Sequence, residues 1–236
     1  MSDPIHTVEA AKVALDKWIA ENRLKPGCKL PSERELCDVL KVKRMTLRQA
    51  LLSLESDSCI FRKDRRGWFM TPARFIYNPN SSSSFRISAE EQGRVPSWGY
   101  LAKTQLYEYD ERLADIFFNG ESEAVYQITG WGALDDHKVF YHETYINPAY
   151  APDFIEYIGN ESLQSLWLTR FAQNVKTKHL TFRPIRMNGD VCKHLGCAPG
   201  SPAILVEKHR ANANDVVVHI DIEYWRFETV DFVINL

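Results

Sequence analysis

Basic side chains occur at three separate places between residues 29 and 70, and each place has the chemistry to grip a nucleic-acid backbone. Two of these places are the starts of predicted helices, and the third is the tip of a predicted hairpin. Arginine and lysine bind phosphate oxygens, arginine also forks to the guanine edge, and a helix N-terminus favours an anion. A glycine at the hairpin tip lets the main chain approach the groove closely. The candidate DNA contacts are Arg34, Lys43, Arg44, Thr46, Arg48, Arg65, Arg66 and Gly67.

Three helices and a hairpin are needed to position these residues. Asp3-Pro4 predicts the start of the first helix, and Ser32-Glu33-Arg34-Glu35 has the spacing of a capping box for the second. Cys59–Lys63 and Trp68–Met70 predict two strands around a turn at Asp64–Gly67. This order predicts a winged helix-turn-helix, which places the first turn of the third helix in the major groove. The apolar stripe of that helix is Leu47, Ala50, Leu51 and Leu54.

A solvated basic face on a three-helix domain is the alternative interpretation. A single run of charge would favour that alternative. Here three basic positions coincide with a capping box and a hairpin, and this combination favours DNA binding.

Charge and composition predict two domains. Residues 1–75 hold 15 Lys and Arg against 10 Asp and Glu, a balance of +5, whereas residues 76–236 hold 14 against 21, a balance of −7. A stretch rich in serine, asparagine and proline separates them and cannot bury much apolar surface. The predicted boundaries are 1–72 for the DNA-binding domain, 73–84 for the linker and 85–236 for a second domain.

Strand-like and helical runs alternate in the second domain, and this mixture predicts an α+β fold on an antiparallel sheet. Helical segments are predicted near 110–119, 148–158, 162–173 and 188–196. The predicted strands are Leu101–Tyr109, Val125–Leu134, Lys138–Ile146, Ala203–Ala211, Val216–Phe227 and Phe232–Leu236.

Several classes of protein are disfavoured. Five cysteines without paired spacing predict neither a disulfide framework nor a zinc site, and no motif calls for a metal or a cofactor. No apolar run approaches the roughly 18 residues that cross a bilayer, and the N-terminus lacks a secretory pattern. A nucleophile elbow and a glycine-rich phosphate loop are both missing. We therefore expect a cytoplasmic protein that is not an enzyme and does not bind a membrane.

Three segments carry a resemblance to a known family. LPSERELCDVL at 30–40, KRMTLRQALLSLE at 43–55 and RRGWFM at 65–70 resemble the amino-terminal domain of the GntR superfamily of bacterial transcription regulators. This sequence departs from the family pattern at two positions. It has Ser58 where the family usually has glycine, and Lys43 where the family usually has a small hydroxyl residue. The resemblance implies that the DNA contacts are Arg34, Arg44, Thr46, Arg48 and Gly67.

The rest of the chain resembles the UTRA effector domain of the HutC branch, whose fold is similar to chorismate lyase. The resemblance implies a cleft that binds a small effector without converting it. The segments that carry it are EEQGRVPS at 90–97, HETY at 142–145, ESL at 161–163, HLGCAPGSPAILVEKHR at 194–210 and DIEYWRFETVDF at 221–232.

KLPSERELC, DRRGWF and DIEYWR look most like the regulators of phosphonate utilisation, which sense 2-aminoethylphosphonate. Such an effector needs one site for a phosphonate dianion and another for an ammonium group. Ser162 at a predicted helix start suits the anion, whereas Glu143 and Glu223 suit the amine. The candidate effector contacts are Glu143, Ser162, His179, Arg183, His219, Glu223 and Tyr224.

Two departures bear on this effector. Gly130 and Gly132 stand where relatives carry alternating arginines, and His219 stands near a position where relatives carry an acidic residue. The cationic anchor would then come from Arg183, His179 or Arg226, and without a replacement the effector is less anionic. An interior histidine, a surface ion pair of Arg226 and a core tyrosine are the structural alternatives.

Three functions follow from these observations. The first is a ligand-responsive regulator that binds a palindromic double-stranded DNA operator as a homodimer. The second is an enzyme of the chorismate-lyase shape, and the third is a dimeric DNA-binding protein with a vestigial effector pocket. The basic amino-terminal domain favours the first.

Overall fold

The computed structural model describes residues 7–63, 66–81, 84–118, 120, 123–159 and 161–234. The chain divides into two compact units. The first comprises Met1–Arg74 with Phe227–Thr229, and the second comprises Phe75–Arg226 with Val230–Leu236.

The first unit is a three-helix bundle followed by a hairpin. Leu15, Leu36 and Leu47 are fully buried between the helices. Phe69 on the second hairpin strand also forms a bridge with Lys29. The predicted winged helix-turn-helix order is confirmed. Its elements are α1 (Val8–Glu21), α2 (Glu33–Leu40), α3 (Arg44–Ser56), β1 (Ile60–Lys63) and β2 (Gly67–Met70).

Local capping sets the starts of the first two helices. The Ser32 hydroxyl accepts a hydrogen bond from the backbone N–H of Glu35 at 3.3 Å, and the Glu35 carboxylate accepts one from the N–H of Ser32 at 2.8 Å. The predicted capping box is therefore confirmed. Thr7 caps α1 by accepting from the N–H of Ala10 at 3.2 Å. The predicted cap at Asp3-Pro4 lies outside the described residues.

Helix α3 ends in a Schellman motif that puts Ser58 in the left-handed region, with φ at +62°. The N–H of Cys59 donates to the carbonyl of Leu54, and the N–H of Ser58 donates to that of Glu55, each at 3.0 Å. Glycine adopts this conformation without the clash that a Cβ causes. This geometry explains why the family resemblance expects glycine here.

Replacing Ser58 with glycine is expected to raise the free energy of unfolding of the first unit by about 1 kcal/mol. The left-handed conformation costs a residue with a Cβ about 1–2 kcal/mol, and glycine removes this strain. Part of the gain is lost because glycine is more flexible than serine in the unfolded chain. Thermal denaturation of the full chain measures the change. Ser56→Gly, at the last helical residue, is the matched control and should destabilise the unit. A loss of stability in Ser58→Gly would contradict the prediction.

The second unit is built on a large antiparallel sheet. Its strands are β3 (Phe75–Tyr77), β4 (Pro96–Leu106), β5 (Val125–Leu134), β6 (His137–Ile146), β7 (Lys176–Arg186), β8 (Pro202–Ala211), β9 (Val217–Arg226) and β10 (Val230–Phe232). Six of these strands form the antiparallel sheet, in the order β4-β5-β6-β9-β8-β7, and a separate parallel pair joins β3 to β10. The predicted α+β class is confirmed. The helices are α4 (Phe85–Glu91), α5 (Glu111–Phe118), α6 (Leu163–Phe171) and α7 (Gly189–Leu195).

Alternation of side chains along the strands gives the large sheet two different faces. Ile128 and Ile146 pack with Trp167 of α6 on one face. On the opposite face, Tyr145 and Ile220 pack with α5, and α7 covers another part. Neighbouring residues on one strand therefore serve different layers.

Several stretches differ from the sequence prediction. The strand predicted at Phe232–Leu236 starts two residues earlier, at Val230, and ends at Phe232. α4 and β7 form where neither helix nor strand is predicted, and the segment at 148–158 contains only a 3-10 turn at Phe154–Tyr157. Pro152 and the left-handed Asp153, with φ at +58°, interrupt a regular helix there. β3 lies inside the predicted linker at 73–84, because Val230–Phe232 supplies its hydrogen-bonding partner.

Candidate functional site

The predicted basic surface of the first unit is exposed. Arg34, Lys43, Arg44, Arg48 and Arg66 are all exposed. Thr46 and Gly67 are half-buried, and Arg65 lies outside the described residues. Gly67 has φ at +96°, so this turn position needs the conformational freedom of glycine.

Glu33 brings the three basic places together. Its Oε1 accepts a hydrogen bond from the indole N–H of Trp68 at 3.2 Å. Its Oε2 lies 3.9 Å from Nε of Arg44, whose side chain is 79% exposed. One carboxylate thus connects the first turns of α2 and α3 with the start of β2, and this places the hairpin beside the N-terminus of α3.

The N-terminus of α3 has an unusual cap. Lys43 occupies the N-cap position, and its side chain makes no capping hydrogen bond. The first backbone N–H groups of a helix lack partners within the helix, and the helix dipole favours an anion beside them. Lys43 therefore adds a cation where a hydroxyl cap is usual, and leaves these N–H groups to an external acceptor such as a phosphate.

A cavity of about 560 Å³ opens on the α6 side of the sheet in the second unit. Strands β4, β5, β6, β8 and β9 supply its floor, and β3, α4 and α6 contribute walls. Three predicted effector contacts line it: Ser162, His219 and Glu223. Ser162 caps α6 by accepting from the N–H of Ser165 at 3.1 Å.

Four other predicted contacts, Glu143, Tyr224, His179 and Arg183, do not line the cavity. Glu143 pairs in register with Ile222, so it lies on the opposite face from Glu223, which pairs with His142. There Glu143 accepts a hydrogen bond from the Tyr145 hydroxyl at 3.1 Å. Strand alternation puts Tyr224 on the same opposite face.

The three proposed cationic anchors also lie elsewhere. Arg183 lies 3.5 Å from Glu207 on the opposite face, and His179 is hydrogen-bonded to Thr181 at 2.8 Å. Arg226 is buried, and its guanidinium donates to the carbonyl of Leu195 at 3.5 Å.

Gly130 and Gly132 leave no room for the two arginines that the family resemblance leads one to expect at these positions. A Cβ on Gly130 would lie 2.6 Å from Nε2 of His142, and one on Gly132 would lie 2.5 Å from Cζ of Phe140. The rings of His142 and Phe140 occupy the space above these glycines. An arginine side chain at either position would therefore displace a cavity residue.

Two cations that sequence reasoning missed lie on the cavity floor. Lys208 and Arg210 alternate on β8 and pair in register with Asp221 and His219 of β9. Lys208 is 1% exposed, and its ammonium contacts Oε1 of Glu223. Nε of Arg210 donates to Oδ2 of Asp221 at 3.0 Å. The available sequence signal was a pair of alternating cations shortly after the apolar run Ala203–Val206.

Asp221 is the centre of this buried network. Its Oδ1 accepts hydrogen bonds from the Thr144 hydroxyl and from Nε2 of His219, each at 2.8 Å. Burial raises the pKa of Asp221, but the neighbouring His219, Lys208 and Arg210 outweigh burial and hold that pKa well below its usual range. The carboxylate is therefore ionised at neutral pH.

Network contacts also extend to α6. Trp167 donates its indole N–H to Nδ1 of His219 at 3.0 Å, and Arg210 donates to the side-chain oxygen of Gln164 at 3.2 Å. Two residues of one helix are thus hydrogen-bonded to the floor of the cavity.

Burial lowers the pKa of both His142 and His219, so the folded second unit should lose stability as the pH falls below about 6.5. The unfolded chain protonates these histidines near that pH and so binds more protons than the folded chain. Each such histidine adds about 1.4 kcal/mol per pH unit to the slope of the free energy of unfolding against pH. Urea denaturation between pH 7.5 and 5 measures it, and His219→Gln should reduce the slope. An unchanged slope in that variant would contradict the assignment.

Two family models match the chain. The model described as "Bacterial regulatory proteins, gntR family" matches residues 7–70, and the UTRA domain model matches residues 91–231. The first match covers the basic surface, and the second covers the cavity except for the part that residues 77–87 line.

Curated relatives match most or all of the chain. The HTH-type transcriptional regulator YihL of Escherichia coli K12 is 54% identical over 236 residues, which is 100% of both chains. The probable fructoselysine utilization operon transcriptional repressor of the same organism is 26% identical and aligns over 92% of this chain and 89% of its own. The histidine utilization repressor of Pseudomonas aeruginosa is 24% identical and aligns over 78% and 72%.

The crystal structure of PhnF from Mycobacterium smegmatis has a similar fold, with a TM-score of 0.64, 21% identity, and coverage of 96% of this chain and 98% of that one. Among the described residues, no helix is both long and apolar enough to span a bilayer. No cluster of His, Cys, Asp and Glu side chains in the described ranges is placed to hold a metal ion.

Proposed function

The chain belongs to the gntR family of bacterial regulatory proteins, carries a UTRA domain and is a ligand-responsive transcription regulator. We propose that it binds a palindromic operator as a homodimer. Its DNA contacts are the exposed basic residues near Glu33, namely Arg34, Lys43, Arg44, Arg48 and Arg66. That carboxylate carries the proposal, because it joins the first turn of α3 to the hairpin through Arg44 and Trp68. Two copies facing two half-sites double the contact area.

The effector is proposed to occupy the cavity of the second unit. A volume of about 560 Å³ lies within the range of small-molecule sites, and this favours a sensor over a protein with a vestigial pocket. The effector acts on DNA binding only to the extent that it favours one arrangement of the molecule over another.

The charge of the cavity favours a less anionic effector. Its cations are Arg86, Lys208 and Arg210, and its anions are Glu161, Asp221 and Glu223, so the lining carries no net charge. A phosphonate dianion would have to compete with carboxylates for the same cations. 2-Aminoethylphosphonate remains the second candidate, because Ser162 places the first turn of α6 at the cavity.

Fluorescence anisotropy of the full chain on a duplex from upstream of its own gene tests the proposal, with a scrambled duplex as control. We expect a clear preference for the upstream duplex at modest ionic strength. Sedimentation of the protein should give twice the mass of the chain. Equal affinity for both duplexes, or a monomer on the operator, would refute the proposal.

A further inference from the structure

The donor and the acceptor of each hydrogen bond around Asp221 follow from two groups: an indole N–H can only donate, and an ionised carboxylate can only accept. Nδ1 of His219 therefore accepts from Trp167, and the His219 proton lies on Nε2. That proton is donated to Asp221. Because the carboxylate is ionised and only accepts, the Thr144 hydroxyl must donate to it.

The same reasoning fixes the tautomer of His142. Thr144 has a single hydroxyl proton and gives it to Asp221, so it accepts from Nδ1–H of His142 at 3.1 Å. A neutral imidazole carries one proton, and its other nitrogen then presents a lone pair. Nε2 of His142 makes no hydrogen bond to any described residue, and His142 lines the cavity. The floor therefore presents a hydrogen-bond acceptor.

Gln173 supplies a second acceptor. Its side-chain N–H donates to the carbonyl of Tyr150 at 2.8 Å, which fixes the orientation of the amide. Its Oε1 is buried without a hydrogen-bond partner among the described residues, and Gln173 lines the cavity. An acceptor left unpaired inside a protein is destabilising, so a ligand hydroxyl that reaches Oε1 of Gln173 gains a hydrogen bond that the protein alone does not make.

The remaining lining favours an uncharged ligand with apolar surface. Lys208 and Arg210 are matched by Glu223 and Asp221, yet each keeps N–H groups that can donate to a ligand oxygen. The ligand must therefore both donate and accept hydrogen bonds, as a hydroxyl does. Aromatic walls offer apolar contact to its carbon skeleton. These walls are Tyr77, Phe85, Trp98, Tyr100 and Phe140.

We propose that the effector is an uncharged molecule with several hydroxyl groups, and that Nε2 of His142 accepts a hydrogen bond from one of them. His142 is thereby a specificity-determining residue, because a hydroxyl group can donate to its Nε2, whereas a phosphonate dianion has no proton to donate there. This proposal rests on the proposed function, because it assumes that the cavity is the effector site.

Thermal denaturation and calorimetry of the full chain test the ligand class. The neutral probes are glucose, mannitol and myo-inositol, and the anionic probes are 2-aminoethylphosphonate and inorganic phosphate, all at the same concentration. A ligand that binds the folded state raises Tm by mass action. We expect at least one neutral probe to raise Tm, and neither anionic probe to do so.

Variants locate the effect at the assigned acceptor. His142→Phe removes the acceptor and should weaken binding of the responding neutral probe about tenfold, the loss expected for one buried hydrogen bond. His142→Gln keeps a donor for Thr144 and an acceptor for the ligand, so it should recover part of the affinity. Gln173→Met removes the second acceptor and gives an independent test should His142→Phe not fold. His194→Phe, outside the cavity, is the matched control and should respond as the wild type does.

Three results would overturn the inference: a response to the anionic probes alone, no response to any neutral probe, or an equal response when the acceptors are removed. DNA binding by the same preparations is measured separately. Loss of the ligand response with intact operator binding refutes only the ligand class, whereas absence of operator binding refutes the proposed function.

Discussion

Replacing Arg48 with alanine is expected to weaken operator binding by about 1–3 kcal/mol, roughly 5- to 150-fold. Arg48 is exposed and lies one turn after Arg44 on α3, so both guanidinium groups project from the same side of the helix. No carboxylate among the described residues forms an ion pair with Arg48. Its five donors are therefore available for a guanine edge, and anisotropy titrations at fixed salt measure the loss.

Comparison of two duplexes decides what Arg48 contacts. A larger loss on the operator than on random DNA indicates base reading, whereas equal losses indicate a phosphate contact and contradict the prediction. Lys17→Ala is the control, because Lys17 is exposed on α1 and lies 3.8 Å from Glu21.

Arg66→Ala, beside the hairpin turn, should instead reduce the salt dependence of the DNA affinity by about one released counterion.

The first unit could be predicted from sequence because its signals are local. A capping box needs only Ser32 and Glu35, three residues apart, and an amphipathic stripe needs only a single helix. Both are independent of the tertiary contacts that complete the fold. The position of Glu33 between Arg44 and Trp68 was not predictable, because Trp68 lies 35 residues further along the chain.

Elements whose partners are distant in sequence were missed. β3 pairs with Val230–Phe232, more than 150 residues away, so its short apolar stretch was indistinguishable from linker. β7 is an edge strand with many exposed charged residues and a proline at 184, and all three features depress a strand prediction.

The effector site was only partly predictable because face and register are decided by strand pairing. Glu143 and Glu223 both suited an amine by residue type, yet the register of β6 with β9 puts them on opposite faces. A shift by one residue exchanges the two faces of a strand. Lys208 and Arg210 became candidates only once β8 was placed beside β9.

Replacing Asp221 with alanine is expected to lower the free energy of unfolding of the second unit by about 3–5 kcal/mol. The substitution removes one partner of a buried ion pair and leaves the charge of Arg210 inside the protein without its closest carboxylate. It also removes the acceptor for the Thr144 hydroxyl and for His219. Chemical denaturation of the full chain measures the loss of stability, and amide hydrogen exchange in β9 shows that the loss occurs within this unit.

Asp190→Ala is the matched control, because Asp190 pairs with Lys193 at 2.9 Å on the surface, where solvent screening leaves an ion pair with little effect on stability. Equal effects of the two substitutions would contradict a buried network. Asp221 acts on α6 through His219 and Arg210, which bond to Trp167 and Gln164. Its loss should therefore increase exchange in α6 as well as in β9, since the floor of the cavity and the helix above it are held by the same carboxylate.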